Sequence, residues 1–144
     1  MKRLLMAAVV TLYAFPALAA AGNEAIAKAA KEKGAVKTAS GMVYVPLKVG
    51  KGKSPTAAST VEVNYRGTLT NGTEFDSSYK RKQSISFPLS GVIPCWTEGV
   101  QLMKVGGKAK LVCPPELAYG ARGAGSAVPP NATLIFEVEL LGIK

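Results

Sequence analysis

The sequence contains no histidine among its 144 residues, which excludes several kinds of active site. Imidazole is the side chain that titrates near neutral pH and the commonest metal ligand, so neither a histidine-based triad nor a histidine metal site can form. Two cysteines, Cys95 and Cys113, are too few for a zinc cluster and too far apart for a CxxC redox pair. The glycines at residues 120–125 lack the lysine and hydroxyl residue of a phosphate loop. We therefore expect no metal and no cofactor.

Long hydrophobic runs are also absent, apart from one at the N-terminus that is short for a membrane span of about 20 residues. Residues 1–19 combine Lys2 and Arg3, a mostly apolar stretch and the small-x-small sequence Ala17-Leu18-Ala19. This pattern is typical of a signal peptide, and an N-terminal core helix is the alternative. It predicts an exported, periplasmic protein. No cysteine lies near the cleavage point, so we expect no lipid anchor.

Acidic residues are few, with 9 Asp and Glu against 18 Lys and Arg, and the formal charge is +9. This charge and the run Lys80-Arg81-Lys82 favour an anionic partner such as lipopolysaccharide or an acidic protein. A basic run is usually a solvated surface, so anion binding is the least favoured of the functions considered. Export makes nucleic acid an improbable partner.

An oxidising compartment permits a disulfide between Cys95 and Cys113. Such a bridge would contribute roughly 3 kcal/mol to stability. The alternative is two buried thiols whose Cα atoms are too far apart to be bridged.

Two short helices are predicted, one in a leader and one in the main domain. Residues 23–33 are helix formers behind a capping Asn23 and before Gly34, followed by a linker that ends at residue 40. Alone, a helix of this length is marginal in water, so we expect a frayed leader or a short surface helix. In residues 94–104, Trp96, Val100 and Met103 share one helical face.

From residue 41 the pattern is one of strands. Apolar residues alternate in residues 43–47, 60–69, 85–89, 108–113 and 134–140. Asn71-Gly72 predicts a hairpin with a type I′ turn. The fold class is therefore α+β, with an antiparallel sheet of about five strands and one short helix on its face. Residues 116–131 form a loop long enough to indicate a function.

Aromatic residues recur at strand positions in an ordered series of motifs, and singly each is more simply explained by core packing. The series is Tyr65-Arg66-Gly67, Phe75-Asp76-Ser77-Ser78, Val92-Ile93-Pro94-x-Trp96-x-x-Gly99, Ala118-Tyr119-Gly120 and Pro129-Pro130-x-Ala132-Thr133-Leu134-x-Phe136. In order and spacing these motifs resemble the FKBP-type peptidyl-prolyl isomerases. The likeness runs from about Ser40 to Lys144. The leader and the junction Thr38-Ala39-Ser40-Gly41 resemble the periplasmic branch that includes the macrophage infectivity potentiators.

The resemblance implies a twisted antiparallel sheet wrapped around one short helix, in an isomerase domain at residues 41–144. It also implies the site. Trp96 would be the floor of an apolar pocket, and Asp76 and Tyr119 would be its catalytic polar rim. The substrate-binding walls would be Tyr65, Phe75, Phe87, Val92, Ile93, Val128 and Phe136.

The implied activity is cis-trans isomerisation of X-Pro bonds in unfolded or extended polypeptides that contain proline. Macrolides are the implied inhibitors. Relatives in the periplasmic branch carry a long helical dimerisation domain, and only about twenty residues precede the junction here, so we expect a monomer. Asp76 would either interact with the twisting amide or hold a neighbouring rim group, and both roles remain open. A non-enzymatic chaperone is the alternative function.

Overall fold

The computed structural model describes residues 14–144, and side chains from residue 19 onward. The predicted signal peptide therefore lies mostly outside the described residues. The described range holds two α-helices, α1 (Ala14–Ala30) and α2 (Pro94–Val100), and two single 3-10 turns, Leu89–Gly91 and Pro115–Leu117. Neither α-helix is long and apolar enough to cross a membrane. The strands are β1 (Val36–Lys37), β2 (Val43–Lys48), β3 (Thr60–Leu69), β4 (Glu74–Ser77), β5 (Ile85–Pro88), β6 (Lys108–Cys113) and β7 (Leu134–Ile143).

All seven strands form one antiparallel sheet in the order β1-β2-β6-β7-β3-β4, with β5 also paired to β3. The predicted α+β class is confirmed, with seven strands rather than about five, and the two α-helices correspond to the two predicted. Part of the difference is β1, which spans two exposed residues and has no apolar alternation to detect. It lies within the stretch predicted to be a linker.

Helix α1 corrects the prediction for the leader. The helix begins at Ala14, so Asn23 lies in its interior and does not cap it, and it ends at Ala30 before Gly34 takes a positive φ of 76°. Ala29 is buried with Val43, Val45 and Val112 on the outer face of the sheet. The leader helix is therefore packed on β2 and β6 rather than frayed, because its alanines let it approach the strands closely.

The β3–β4 hairpin also differs from its prediction. A type I′ turn needs positive φ at both central residues, but only Gly72, at 88°, has one, and Asn71 does not. The Gly72 N–H donates to Leu69 O at 3.0 Å, and the Leu69 N–H donates to Thr73 O at 2.9 Å. These bonds define a three-residue loop with glycine at its left-handed position. The Asn side chain instead accepts a bond from the Thr73 N–H at 2.9 Å.

Helix α2 packs in the main core against the sheet and is shorter than predicted. It begins at Pro94, which has no N–H to leave unpaired at a helix start, and ends at Val100. Trp96, Val100 and Met103 are all buried, as their spacing predicted. A Cβ at Gly99 would lie 2.8 Å from Leu111 Cδ2, so glycine is what allows the helix to approach β6. This close approach sets the height of Trp96 above the sheet.

Candidate active site

An apolar cavity of about 420 Å³ opens where β3, β4, β5 and β7 meet the first turn of α2. Trp96, only 4% exposed, is its floor, and the rings around it come from Tyr65, Phe87 and Phe136. A pocket of this size lies within the range of about 300–1,000 Å³ that small ligands occupy. The lining residues are Tyr65, Phe75, Asp76, Ile85, Phe87, Gly91, Val92, Ile93, Trp96, Tyr119 and Phe136.

The aromatic rings pack edge to face, which keeps the floor rigid. The ring of Trp96 lies 5.2 Å from that of Tyr65, 5.6 Å from that of Phe87 and 5.5 Å from that of Phe136, at interplanar angles of 84–88°. Phe75 packs against Phe136 at 5.6 Å and 82°. Such pairs each add about 0.5–1.5 kcal/mol beyond the area they bury. One connected cluster of rings therefore shapes the cavity.

Gly67 allows two of these rings to reach the cavity. It faces Phe136 across the β3–β7 pair and Asp76 across the β3–β4 pair. A Cβ on Gly67 would lie 2.5 Å from Phe75 Cζ and 3.0 Å from Phe136 Cε1. The glycine of the Tyr65-Arg66-Gly67 motif therefore makes room for the walls of the pocket.

A polar cluster borders the cavity at Tyr65, Asp76 and Arg81. The Tyr65 hydroxyl donates a hydrogen bond to Asp76 Oδ2. Arg81 Nη1 donates to Asp76 Oδ1 at 2.8 Å, and its Nη2 donates to the Tyr65 hydroxyl at 3.2 Å. The Ser77 N–H also donates to Asp76 Oδ1, at 2.9 Å. Both carboxylate oxygens of Asp76 are thus engaged by the protein.

The charge state of this cluster follows from its contacts. Partial burial alone would raise the pKa of Asp76, but the hydrogen bonds from Tyr65 and Arg81 and the Arg81 charge hold it below its ordinary 3.8. Burial raises the pKa of Tyr65 above 10.0, and its bond to Asp76 raises it further. Ionised Asp76 therefore stabilises the fold above its unfolded-state pKa, and this contribution is lost as the pH falls through the lower folded-state value.

Ser78 holds the segment that carries Phe75 and Asp76 against β3. Its hydroxyl accepts a bond from the Tyr65 N–H at 2.8 Å, and its own N–H donates to Tyr65 O at 2.9 Å. The hydroxyl also donates to Asn64 Oδ1 at 3.0 Å. The last serine of the Phe75-Asp76-Ser77-Ser78 motif thus links the segment to Tyr65.

Tyr119 approaches the cavity from the long loop and is 40% exposed. The loop folds back on itself, since the Gly120 N–H donates to Pro115 O at 2.8 Å and the Asn131 N–H donates to Gly120 O at 2.8 Å. These bonds hold the Tyr119 backbone beside the pocket while its ring stays accessible to a bound molecule.

The structure brings together all but one of the predicted pocket residues. Val128 is the exception, because it pairs with Ala124 in an isolated antiparallel bridge and its side chain is buried in the core. Three neighbours of the site were not predicted. Ile85 was expected only to alternate in a strand, Gly91 carries no chemical signature, and Arg81 was assigned to a basic surface run. The structure pairs Arg81 with Asp76 instead.

The two cysteines are bonded directly behind the floor. Cys95, which precedes Trp96, forms a disulfide with Cys113 at the end of β6, with the Cα atoms 5.8 Å apart. Both residues are fully buried. The bridge joins the first turn of α2 to the sheet at the position where the floor of the cavity is built.

A sheet wrapped around a short helix, with an aromatic cavity at the start of that helix, defines the FKBP-like class of α+β fold. A family profile described as FKBP-type peptidyl-prolyl cis-trans isomerase matches residues 51–141. The chain belongs to the FKBP-type peptidyl-prolyl cis-trans isomerase family.

Individual relatives agree with this assignment. FkpA of Escherichia coli, an FKBP-type peptidyl-prolyl cis-trans isomerase, is 54% identical over 125 residues, which are 87% of this chain and 46% of FkpA. In its crystal structure, the matched part has a TM-score of 0.87 at 49% identity and covers 99% of this chain and 67% of that one. A peptidyl-prolyl cis-trans isomerase structure from Pseudomonas syringae has a TM-score of 0.81 at 38% identity, and the match covers 90% of this chain and 94% of that one. The chain spans about half the length of the curated FkpA it matches.

Proposed function

We propose that this chain catalyses cis-trans isomerisation of X-Pro peptide bonds, with the proline ring seated on Trp96. The observation that carries the proposal is the ring cluster itself, in which Tyr65, Phe87 and Phe136 surround the indole at 5.2–5.6 Å. A proline ring is apolar and its nitrogen has no hydrogen to leave unpaired on burial. It is therefore the peptide unit best suited to this cavity.

Catalysis in such a cavity requires no nucleophile. Amide resonance places negative charge on the carbonyl oxygen and sets a rotation barrier of about 18–20 kcal/mol. The twisted transition state has lost much of this charge separation. An apolar, water-excluding wall therefore favours it over the planar amide. Interactions that are stronger in the transition state than in the ground state are the ones that accelerate a reaction.

The polar rim would orient the peptide. Tyr119 lines the cavity and is 40% exposed, so its hydroxyl would donate a hydrogen bond to a substrate carbonyl. Of the two roles open for Asp76, the contacts favour the positioning one. Its carboxylate accepts bonds from Tyr65, Arg81 and the Ser77 N–H, so it holds the side of the cavity to which Tyr65 contributes.

The substrates proposed are unfolded or extended polypeptides of exported proteins, whose folding the chain would assist. We place the chain in the periplasm, and two features support this proposal. They are the export pattern of residues 1–19 and a buried disulfide of the kind found in oxidising compartments. We also propose that macrolides inhibit by occupying the same cavity, and that the chain acts as a monomer with its isomerase domain at residues 41–144.

Catalysed exchange of an Ala-Leu-Pro-Phe peptide tests the proposed function. We expect the chain to accelerate exchange and the double variant Asp76→Ala/Tyr119→Phe to lower kcat/KM at least tenfold, because it removes a rim support and a carbonyl donor. A tenfold loss corresponds to about 1.4 kcal/mol of transition-state stabilisation. The matched control is Tyr79→Phe, an exposed tyrosine outside the cavity, which should leave the rate unchanged. An exchange rate that is no higher with the protein than without it would contradict the proposal.

A further inference from the structure

Five lysines converge at the end of the sheet away from the cavity. Lys48, at the end of β2, lies directly opposite Lys108 at the start of β6. Lys51 and Lys53 follow in the loop after β2, and Lys104 lies in the turn before β6. We call these five residues, with the neighbouring Val49 and Leu102, the lysine patch.

The two loops that carry the patch are bound to each other. The Gly52 N–H donates to Val105 O at 3.0 Å, and the Val105 N–H donates to Lys53 O at 3.0 Å. A Cβ on Gly50 would lie 2.4 Å from Lys104 O and 2.6 Å from the Gly107 nitrogen, so the backbones are in direct contact. The lysines are therefore held together by the fold.

None of the five lysines forms an ion pair within the part of the chain whose side chains are described. The ion pairs there join Arg66 to Glu74 and Glu137, Arg81 to Asp76, and Lys110 to Glu32. Glu139 faces Lys108 across the β6–β7 pair but is not within ion-pair distance of it. Like charges directly opposite on paired strands, such as Lys48 and Lys108, are destabilising. The patch thus carries a net positive charge, which Glu139 opposite Lys108 offsets only in part, at some cost to the fold.

Apolar side chains are exposed among these charges. Val49, between Lys48 and Gly50, is 75% exposed, and Leu102 is 47% exposed. The register of β2 shifts between Pro46 and Lys48, which takes Leu47 out of the ladder and redirects the chain that leads to Val49. Val49 and Leu102 border a small cleft of about 200 Å³, below the volume of about 300 Å³ or more typical of cavities that hold small ligands.

We propose that the lysine patch docks this protein on anionic phospholipid membranes. Clustered lysines beside exposed apolar side chains suit the surface of such a membrane. The ammonium groups would bind lipid phosphates, and the apolar groups would enter the boundary between headgroups and acyl chains. An exposed valine beside so small a cleft suits a membrane better than an acidic peptide, which would need larger pockets for its side chains.

Docking through this patch leaves the cavity free. Strand β6 starts at Lys108 in the patch and ends at Cys113, whose disulfide partner precedes Trp96. Five residues of extended strand separate the two ends by roughly 17 Å. A membrane-bound molecule would thus hold its cavity away from the lipid surface. The proposal does not depend on the proposed isomerase activity, and either can fail without the other.

Cosedimentation of the chain without the predicted signal peptide at residues 1–19, with vesicles of equal parts phosphatidylglycerol and phosphatidylcholine, tests the proposal. We expect binding to these vesicles, none to pure phosphatidylcholine, and weakening as salt is raised to about 0.5 M. The variant Lys51→Gln/Lys53→Gln/Lys104→Gln should lower the partition coefficient on the order of 100-fold, because each lysine near an anionic surface contributes roughly fivefold. Val49→Ser should lower it severalfold without any change of charge.

The matched control is Lys28→Gln/Lys31→Gln/Lys33→Gln, which removes the same charge from exposed lysines near the end of α1. This control should retain most of the binding, and all variants should keep the same peptide exchange rate. Equal losses in the two triple variants would overturn the proposal in favour of net charge alone. Binding to polyglutamate but not to the anionic vesicles would overturn it in favour of an acidic protein partner.

Discussion

Removal of the Cys95–Cys113 disulfide should lower the free energy of unfolding by roughly 3 kcal/mol, as expected for a bridge that closes a loop of this length. The two cysteines are 18 residues apart in sequence and are fully buried. The loop between them carries Trp96, α2 and the first residues of β6, so the unfolded chain loses much freedom when it is closed. The double variant Cys95→Ala/Cys113→Ala adds no polar atom to the core. Urea unfolding followed by Trp96 fluorescence gives the difference.

Reductant provides the internal control for this experiment. Wild-type protein unfolded in the presence of a phosphine reductant should approach the stability of the double variant, whereas the variant itself should not respond to reductant. Because Cys95 directly precedes Trp96, we also expect the peptide exchange rate to fall before global unfolding as urea is raised in the variant. Equal unfolding midpoints for oxidised wild-type protein and the double variant would contradict the stabilising role of the bridge.

Gly67→Ala should lower kcat/KM for peptide exchange at least tenfold, about 1.4 kcal/mol in transition-state stabilisation. The added Cβ would meet Phe75 Cζ at 2.5 Å and Phe136 Cε1 at 3.0 Å, so at least one wall of the cavity has to move. Overpacking of this kind costs about 1–3 kcal/mol of stability. The rate loss should therefore accompany a folded protein with a displaced wall.

A variant of a second glycine distinguishes the effect of a displaced cavity wall from the effect of lower stability. Gly72 has a φ of 88°, and a Cβ added there would meet no atom within 4 Å, so Gly72→Ala strains the hairpin without touching the cavity. This control should lose on the order of 1 kcal/mol of stability and keep its exchange rate. If both variants lost activity in proportion to their stability, the claim that Gly67 shapes the pocket would be wrong.

The strands of the central sheet could be predicted because their periodicity is strong. In β3, Val61, Val63 and Tyr65 are buried on the face that the alternation assigned to the core. Two other elements gave weaker patterns. β1 has two residues, and α1 is so rich in alanine that apolar spacing could not locate its start. The turn at Asn71-Gly72 was assigned to the wrong type because the pair is compatible with more than one loop length.

The aromatic residues of the site could be predicted better than its loop residues, and the reason is physical. The aromatic walls belong to ordered strand and helix motifs, so a resemblance in sequence transfers them to positions around Trp96. Val128 and Arg81 belong to loops, where side-chain direction depends on backbone bonds that no periodicity reveals. The antiparallel bridge with Ala124 directs the Val128 side chain toward the core. Arg81 lies five residues after Asp76 in the sequence and forms a hydrogen bond with it.

The central claim is that the cavity isomerises X-Pro bonds by apolar exclusion, without proton transfer, and the pH dependence of kcat/KM tests it most directly. Asp76 has a pKa below 3.8 and Tyr65 one above 10.0, so neither changes its charge between about pH 5 and about pH 9. We expect catalysed exchange whose kcat/KM is flat across this range, with the uncatalysed rate subtracted at each pH. A sloped or bell-shaped profile with an apparent pKa inside the range, in protein that remains folded, would contradict the claim.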